Sequence, residues 1–146
     1  MKVKDCMSWD IVSVKPWETI TNVAKQMQEN HVGCITVCDD NNKLVGLVTD
    51  RDVILRCIAS EKDYKDAPVS DIMTTNIYSV DPEDTVDKAT WYMSQYQIRR
   101  LPVVQDGILK GILTIADVSV NPDVPTSKVG EMMEGICGCN RHNNAE

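Results

Sequence analysis

The stretch GLVTDRD at residues 46–52 recurs as GILTIAD at residues 111–117. In both stretches a glycine and two apolar residues precede a threonine, and an aspartate follows three residues later. The apolar residues are typical of a buried strand, and a threonine with an acid three residues further on is typical of a helix start. The pattern therefore predicts two strand-to-helix junctions, each carrying one Thr–Asp pair.

The repetition extends outward from these junctions over most of the chain. VKDCM at 3–7 recurs as VSDIM at 69–73, and the shift of 66 residues (7 to 73) continues as far as Val103. After a one-residue deletion in a loop the shift is 65 residues (52 to 117). Two copies of a small unit usually pack on each other, because neither buries its apolar face alone. We predict a first repeat at 1–62, a second at 63–122, and a C-terminal extension at 123–146 with a partly disordered tail.

Each copy is predicted to fold as β-α-β-β-α, which belongs to the α/β (α+β) class. Hydrophobic periodicity and turn residues define a strand, a helix, two strands and a second helix. These elements are 11–14, 19–30, 33–38, 44–49 and 50–60 in the first copy, and 77–80, 85–96, 101–104, 108–114 and a short helix from Ile115 in the second. A third V-x-[DE]-x-M pattern at 129–133 is either a leftover helical turn or a coincidence.

Composition and charge narrow the class of function. The formal net charge of −7 argues against nucleic acid as a partner, because phosphate backbones need a basic surface. The polar start MKVKDCMSWD is unlike a secretory signal, and no apolar run approaches the ~20 residues of a membrane span. We therefore expect a cytoplasmic protein with no membrane partner. No P-loop, G-x-G-x-x-G or nucleophile–base motif is evident, so we do not expect an enzyme.

The Thr–Asp pairs admit two interpretations. A carboxylate can accept hydrogen bonds from both hydroxyls of a ribose, and a threonine at a helix start lies beside backbone N–H groups that attract phosphate. Alternatively, both side chains satisfy the helix N-terminus as a capping box. The pair occurs twice, each time after a glycine and a buried strand, and this favours a nucleotide site.

The two-copy layout, the doubled motif, the strand openings IVSV (11–14) and IYSV (77–80), and IRRLPVV (98–104) together resemble a pair of CBS domains, the module named after cystathionine β-synthase. The resemblance covers about residues 1–120. It implies a pseudo-two-fold unit with two clefts that bind AMP, ADP, ATP or a related adenosyl compound. It also implies that the aspartate holds ribose and that the threonine reaches ribose or phosphate.

Carried over position by position, the resemblance implies two sets of ligand-binding residues. The first set is Thr49, Asp52, Ile11, Val12, Cys34 and Ile35. The second set is Thr114, Asp117, Ile77, Tyr78, Arg99, Arg100, Leu101 and Pro102. Arg99 and Arg100 are predicted to clamp phosphate, since guanidinium groups offer several donors. The alternative for these two is a solvated pair that balances nearby acids.

The sequence thus favours a regulatory module that senses an adenine nucleotide, with no cofactor and no resident metal. We expect it to act through a homodimer, as the resemblance implies, or through an unknown protein partner. The helical side chains expected to offer a dimer surface are Trp91, Tyr92 and Met93 in one copy and Ile54 and Ile58 in the other.

Three alternatives stay open: an interaction module with degenerate pockets, a thiol or metal sensor using Cys137 and Cys139 with His142 nearby, and a small enzyme. We also expect the chain beyond Met133 to be dispensable for folding.

Overall fold

The structure is a computed structural model that describes the backbone of residues 1–143 and the side chains of residues 1–138. Its strands and helices follow the predicted order except for the strand predicted at 77–80, and the α+β class is confirmed. They are β1 (Ser13–Val14), α1 (Ile20–Asn30), β2 (Cys34–Cys38), β3 (Leu44–Thr49), α2 (Asp50–Asp52, continued by a π-helix at Val53–Ile58), α3 (Val86–Tyr96), β4 (Arg100–Gln105), β5 (Ile108–Thr114), α4 (Ile115–Val120) and α5 (Thr126–Asn143), with 3₁₀ turns at Val3–Asp5 and Val69–Asp71.

The first helix of each copy is set by the same local signals. Thr19 and Thr85 are the N-caps of α1 and α3, and their side chains accept hydrogen bonds from backbone N–H groups three residues on. His31 and Gln97 end these helices in the left-handed conformation, with φ of 53° and 54°. The two helices therefore begin and end with the same local signals, as expected for two copies of one unit.

One compact unit comprises Ile11–Ile77 together with Asp106–Leu109. Its sheet has the order β1-β2-β3, with Ser13 parallel to Thr36 and Cys34 antiparallel to Thr49. The core is mainly aliphatic, as expected for a chain without Phe. It is formed by Val14, Ile20, Val23, Met27, Ile35, Val37, Val48, Cys57, Val69 and Ile72.

The other compact unit comprises Met1–Asp10, Tyr78–Gln105 and the chain from Lys110 onward. Strands β4 and β5 form a two-stranded sheet. The strand predicted at 77–80 is reduced to a single parallel bridge between Val80 and Val103. The core contains Val3, Met7, Val80, Val86, Ala89, Met93, Leu101, Val103, Leu113, Val118, Val124, Met132 and Ile136.

Each compact unit therefore contains a segment of the other copy. Ser8, from the first copy, exchanges two backbone hydrogen bonds with Ile112 of the second copy, at 2.9 and 3.0 Å. Thr74, from the second copy, makes the same exchange with Leu47 of the first copy, at 2.9 and 2.7 Å. The compact units do not coincide with the repeats, and the boundaries 1–62 and 63–122 remain a prediction about the sequence.

Charged contacts also attach the first residues to the second copy. The Lys2 and Lys4 ammonium groups both donate to the Glu83 carboxylate. These hydrogen bonds, Lys2 first and then Lys4, lower the pKa of Glu83 to about 2. Backbone bonds from Val3 N–H to the carbonyl of Asp84, at 2.8 Å, hold the same segment in place.

The C-terminal extension forms a longer helix than the single turn considered at 129–133, and residues 144–146 of the predicted tail lie outside the described residues. Thr126–Asn143 is one helix, α5, which packs against α3. Met132 and Ile136 are 2% and 3% exposed and belong to the core. Ile136 lies beyond Met133 and is buried, which argues against the expectation that the chain beyond Met133 is dispensable for folding.

Candidate ligand-binding sites

The first Thr–Asp pair forms a complete capping box. Thr49 ends β3 and is the N-cap of α2; its Oγ1 accepts a hydrogen bond from the Asp52 N–H at 3.1 Å. The Thr49 N–H in turn donates to Oδ2 of Asp52 at 2.9 Å. Oδ1 lies 3.6 Å from Nε of Arg56, and the Asp52 side chain is 15% exposed. One carboxylate oxygen thus serves the helix, while the other faces a guanidinium group at the surface.

The second pair repeats this geometry, and in addition the Thr114 hydroxyl donates to Oδ2 of Asp117 at 2.9 Å. The Thr114 N–H donates to Oδ2 of Asp117 at 2.8 Å, and the Asp117 N–H donates to Oγ1 of Thr114 at 3.1 Å. Oδ1 of Asp117 accepts a 3.4 Å hydrogen bond from the Ser8 hydroxyl. In both copies Oδ2 belongs to the cap, so Oδ1 is the oxygen with spare capacity for a ligand hydroxyl.

The segments predicted to cradle the base meet each Thr–Asp pair at the same end of the sheet. Cys34, at the start of β2, lies opposite Thr49, and the Asp50 N–H donates to the carbonyl of Gly33 at 3.0 Å. Thr36 Oγ1 donates to the carbonyl of Val12 at 3.0 Å, which holds the segment before β1 beside β2. Ile11, Val12 and Cys34 are all half-buried. The first-copy candidates therefore converge on one edge.

The second copy shows the corresponding connection. The Ile115 N–H donates to the carbonyl of Arg99 at 3.0 Å, and the Val80 N–H donates to the carbonyl of Pro102 at 3.1 Å. Thr114, Arg99 and the segment with Tyr78 thus lie within the same compact unit. Ile77 falls in the other compact unit and is half-buried there.

Two of the predicted residues point into the cores. Ile35 and Leu101 are 1% and 0% exposed, and each packs in the apolar cluster of its own unit. Pro102 is also buried. Because a core side chain is not available to a ligand, these three positions can contribute only backbone groups or shape to a site.

Arg99 and Arg100 are both exposed at the start of β4. Neither forms an ion pair with any side chain in the part of the chain that the structure describes. Both interpretations of Arg99 and Arg100, a phosphate clamp and a solvated pair that balances nearby acids, therefore stay open. Two unpaired guanidinium groups in an acidic protein are suited to an anionic ligand.

Sequence reasoning missed Ser8 at the second site. Its hydroxyl reaches Asp117 across 109 positions of the chain, so no local pattern could indicate the contact. A signal was nevertheless present, because Ser8 and Thr74 occupy equivalent positions after the two V-x-D-x-M motifs, and both carry a hydroxyl.

Cys6 also contacts Asp117, because its thiol donates to the carbonyl of Asp117 at 3.6 Å. Burial raises the pKa of Cys6, so its thiol is a poor nucleophile at neutral pH.

The thiol or metal site considered at Cys137, Cys139 and His142 is only partly within the described side chains. Among the residues whose side chains are described, there is no group of three or more His, Cys, Asp or Glu residues placed to hold a metal ion. Cys137 is exposed, whereas the side chains of Cys139 and His142 lie outside the described residues. Within residues 1–143, no helix has the length and apolar character needed to cross a membrane.

Some of the side chains predicted to offer a dimer surface are exposed. Ile54, Ile58 and Trp91 are exposed, and Tyr92 is half-buried. Met93 was placed wrongly on this surface: it is 0% exposed and belongs to the core, because it lies on the inward face of α3 with Val86 and Ala89.

Comparison with known proteins identifies the family. The model for the CBS domain matches residues 3–58 and 69–123. The chain is 36% identical over 140 residues to the CBS domain-containing protein YhcV of Bacillus subtilis, covering 96% of this chain and 98% of that protein. It is 30% identical over 134 residues to Hypoxic response protein 1 of Mycobacterium tuberculosis, covering 92% of each. The chain belongs to the CBS-domain family and carries two CBS domains in tandem.

Solved structures agree with this assignment. The crystal structure of Hypoxic Response Protein I with two coordinated zinc ions is similar with a TM-score of 0.76 and 31% identity, covering 82% of this chain and 97% of that one. The CBS domain pair of protein MJ0100, in complex with 5′-methylthioadenosine and S-adenosyl-L-methionine, is similar with a TM-score of 0.72 and 30% identity, covering 82% and 93%.

Proposed function

We propose that this protein is a regulatory module without catalytic activity, which binds AMP, ADP, ATP or a related adenosyl compound at a site in each copy. The observation that carries the proposal is the doubled Thr–Asp pair, in which one carboxylate oxygen of Asp52 and of Asp117 is left over by the helix cap. A carboxylate oxygen of this kind accepts strong hydrogen bonds from ligand hydroxyls. The similar CBS pair of MJ0100, which holds two adenosyl compounds, supports the choice of ligand class.

In this proposal each group of residues binds a different part of the ligand. Asp52 and Asp117 bind the ribose hydroxyls, and Thr49 and Thr114 with the adjacent N–H groups approach ribose or phosphate. Half-buried Ile11, Val12 and Cys34 contact the base in the first copy, while Tyr78 does so in the second. Arg99 and Arg100 bind phosphate, which gives the second site the greater preference for phosphate-rich ligands.

The mode of action follows from the ligand-binding role. We infer that the protein works in the cytoplasm as a homodimer and passes the signal to a protein partner. The side chains of Ile54, Ile58 and Trp91 are apolar and exposed, and they support a role in such contacts because a partner would remove their apolar surface from water. Nucleic acid and membrane are not partners in this proposal, since the net charge of −7 repels anionic surfaces.

One specific observation favours a second candidate, an interaction module with degenerate pockets. Both capping boxes are complete without any ligand, so the Thr–Asp pairs have a structural role in either case. The two candidates differ in what the aspartates do beyond capping, and this difference can be measured.

The experiment is a titration of wild type, Asp52→Ala and Asp117→Ala with adenosine, AMP and ATP, accompanied by thermal unfolding. A bound ligand at a hundredfold excess over its Kd adds about 2.7 kcal/mol of stability and raises the melting temperature. Each variant should lose one site, with a tenfold to hundredfold rise in Kd, since losing a charged acceptor costs about 1.5–3 kcal/mol. Loss of the cap should cost only about 1 kcal/mol of stability.

The control is Asp40→Ala, which removes an exposed carboxylate outside both sites. Equal affinities in wild type and both site variants, with lowered stability in the variants, would identify the aspartates as caps and favour the interaction module. Absence of any melting shift or calorimetric heat with all adenosyl compounds at millimolar concentration would refute the proposed function.

A further inference from the structure

Asp52 and Asp117 differ in the group that faces the carboxylate oxygen not used by the helix cap. Oδ1 of Asp52 lies 3.6 Å from Nε of Arg56, which is beyond hydrogen-bond distance. Oδ1 of Asp117 instead accepts a 3.4 Å hydrogen bond from the Ser8 hydroxyl. The Arg56 guanidinium therefore attracts the oxygen of Asp52 without taking up its lone pairs, and the oxygen can still accept a ligand hydroxyl.

The guanidinium group of Arg56 is anchored by a second contact. Its Nη1 donates to the carbonyl of Ile72 at 3.2 Å. Ile72 is 1% exposed, and its own N–H donates to the carbonyl of Val69 at 3.0 Å, so the acceptor belongs to a well-packed segment. The donors of a guanidinium group lie in one rigid plane, so a single anchored nitrogen restricts the direction of the others. The position of the cation beside Asp52 thus does not depend on the carboxylate alone.

The backbone that carries Arg56 is also held in place. Arg56 lies in the π-helix Val53–Ile58, and the next residue, Cys57, is 0% exposed. The Cys57 thiol donates to the carbonyl of Lys62 at 3.6 Å, and the Lys62 N–H donates to the carbonyl of Cys57 at 2.9 Å. π-helical turns are rare and frequently occur at functional sites. The Arg56 side chain therefore extends from a fixed backbone, although about half of its surface is exposed.

The second copy makes an equivalent connection with different side chains. Cys6 corresponds to Ile72 at the shift of 66 residues (6 to 72), and Asn121 corresponds to Arg56 at the shift of 65 (56 to 121). The Asn121 side chain forms a hydrogen bond with Cys6. In both copies, therefore, the residue four positions after the aspartate contacts the same position of a V-x-D-x-M segment. Only in the first copy is this residue a cation.

We propose that Arg56 is a positioning residue of the first site, which orients Oδ1 of Asp52 for a ligand hydroxyl and connects this aspartate to the V-x-D-x-M segment at 69–73. The inference rests on the proposed function and adds a route by which the site acts on its own compact unit. A hydroxyl bound to Oδ1 restricts Asp52 and Arg56 together, and the restricted guanidinium holds Ile72 more firmly. Ligand binding and the attachment of the segment are then coupled, and each strengthens the other.

The first measurement is the adenosine affinity of the first site, isolated in the Asp117→Ala background. Arg56→Met should weaken adenosine binding about twofold to fivefold, the range for a partly exposed ion pair. Arg56→Lys should restore most of the affinity, because it returns a cation beside Asp52. The second site, isolated in the Asp52→Ala background, should bind adenosine equally well with and without Arg56→Met.

A probe without ribose hydroxyls separates a positioning role from a structural one. 2′,3′-Dideoxyadenosine cannot donate a hydroxyl to Oδ1 of Asp52, so its affinity for the first site should be the same with Arg56 and with Arg56→Met. General damage to the site would instead weaken both compounds by the same factor.

The second measurement is hydrogen exchange at the isolated first site, at equal occupancy in each variant. Adenosine should slow exchange at the amides of Met73 and Thr74, which donate to the carbonyls of Val69 and Leu47. In Arg56→Met this added protection should be lost, whereas protection of the Asp52 amide should still increase on binding.

The matched control is Lys62→Met, which removes a cation that pairs with Asp71 of the same segment, at 3.9 Å, instead of with Asp52. It makes the same change of charge and should leave both the adenosine affinity and the added protection unchanged.

Each outcome decides the inference. Unchanged or tighter adenosine binding in Arg56→Met, at a first site that Asp52→Ala still weakens, would overturn the positioning role and leave the proposed function intact. An equal loss of affinity for adenosine and dideoxyadenosine would overturn it as well, and so would added protection of Met73 and Thr74 that persists in Arg56→Met. If wild type binds no adenosyl compound, the proposed function and the inference both fail.

Discussion

Gly111 and Gly46 show how closely the exchanged segments approach the strands at the site. A Cβ atom at Gly111 would overlap the backbone carbonyl oxygen of Ser8, and one at Gly46 would overlap the sulfur of Met73. The carbonyl of Ser8 accepts a 3.0 Å hydrogen bond from Ile112 and cannot retreat without losing it. The Met73 side chain is flexible and can adopt another rotamer. The same substitution should therefore have different effects at the two equivalent positions.

We predict that Gly111→Ala lowers the free energy of unfolding by about 1–3 kcal/mol, the usual cost of an added group in a packed region. Gly46→Ala should cost less, because only a side chain has to move. Urea unfolding of the two variants measures the difference, and each serves as the control for the other. An equal or larger loss in Gly46→Ala would show that the backbone contact of Ser8 is not the limiting one.

At the level of single residues, the sequence predicted the Thr–Asp pairs and their helix-start positions, because capping depends on residues three positions apart. It also left capping and ligand binding open as alternatives, and the structure shows that both pairs form the hydrogen bonds of a capping box. The Ser8 contact to Asp117 was missed because it depends on tertiary packing. Ile35 and Leu101 were assigned from a resemblance, which gives positions along the chain and not the direction of a side chain.

Among the elements, α1 and α3 were predicted within one residue, because apolar residues at helical spacing follow a threonine cap. The helix α5 was not predicted. Its sequence contains three glycines and ends in polar residues, so local preference argues against a stable helix. Packing on α3 overrides this preference. A Cβ at Gly135 would lie 2.6 Å from Cβ of Ser94, so the absence of a side chain at Gly135 permits the close contact between the two helices.

The contribution of α5 can be tested by truncation. A chain ending after Glu134 loses Ile136 from the core and should be destabilised by about 2–5 kcal/mol, the range for removing a large aliphatic side chain. Ile136→Ala in the full chain should reproduce most of this loss. A chain ending after Gly138 keeps Ile136 and is the matched control, with a melting temperature close to wild type. Equal stability of all three chains would mean that the packing of α5 on α3 does not contribute to folding.

At the scale of the whole molecule, the sequence repeats and the compact units comprise different sets of residues. The duplication is visible in the sequence because both copies keep the same register, and the order of elements follows from it. The assignment of each V-x-D-x-M segment to the other copy's core could not be predicted, since the two segments carry nearly the same apolar residues and suit either core. Val3 and Met7 pack with Leu101 and Val103, while Val69 and Ile72 pack with Ile35 and Val37.

This exchange predicts that a substitution in one copy destabilises the other. Met7→Ala removes a side chain that is 7% exposed in the core of the unit containing β4 and β5, and Ile72→Ala removes one that is 1% exposed in the core of the unit containing β2 and β3. Each should cost about 2–5 kcal/mol. Native-state hydrogen exchange reports local stability by segment. Met7→Ala should reduce protection of the amides in β4 and β5 more than in β2 and β3, and Ile72→Ala should do the reverse. Each variant is thus the control for the other. If each substitution instead weakened protection mainly within its own copy, the V-x-D-x-M segments would belong to the repeats from which they come.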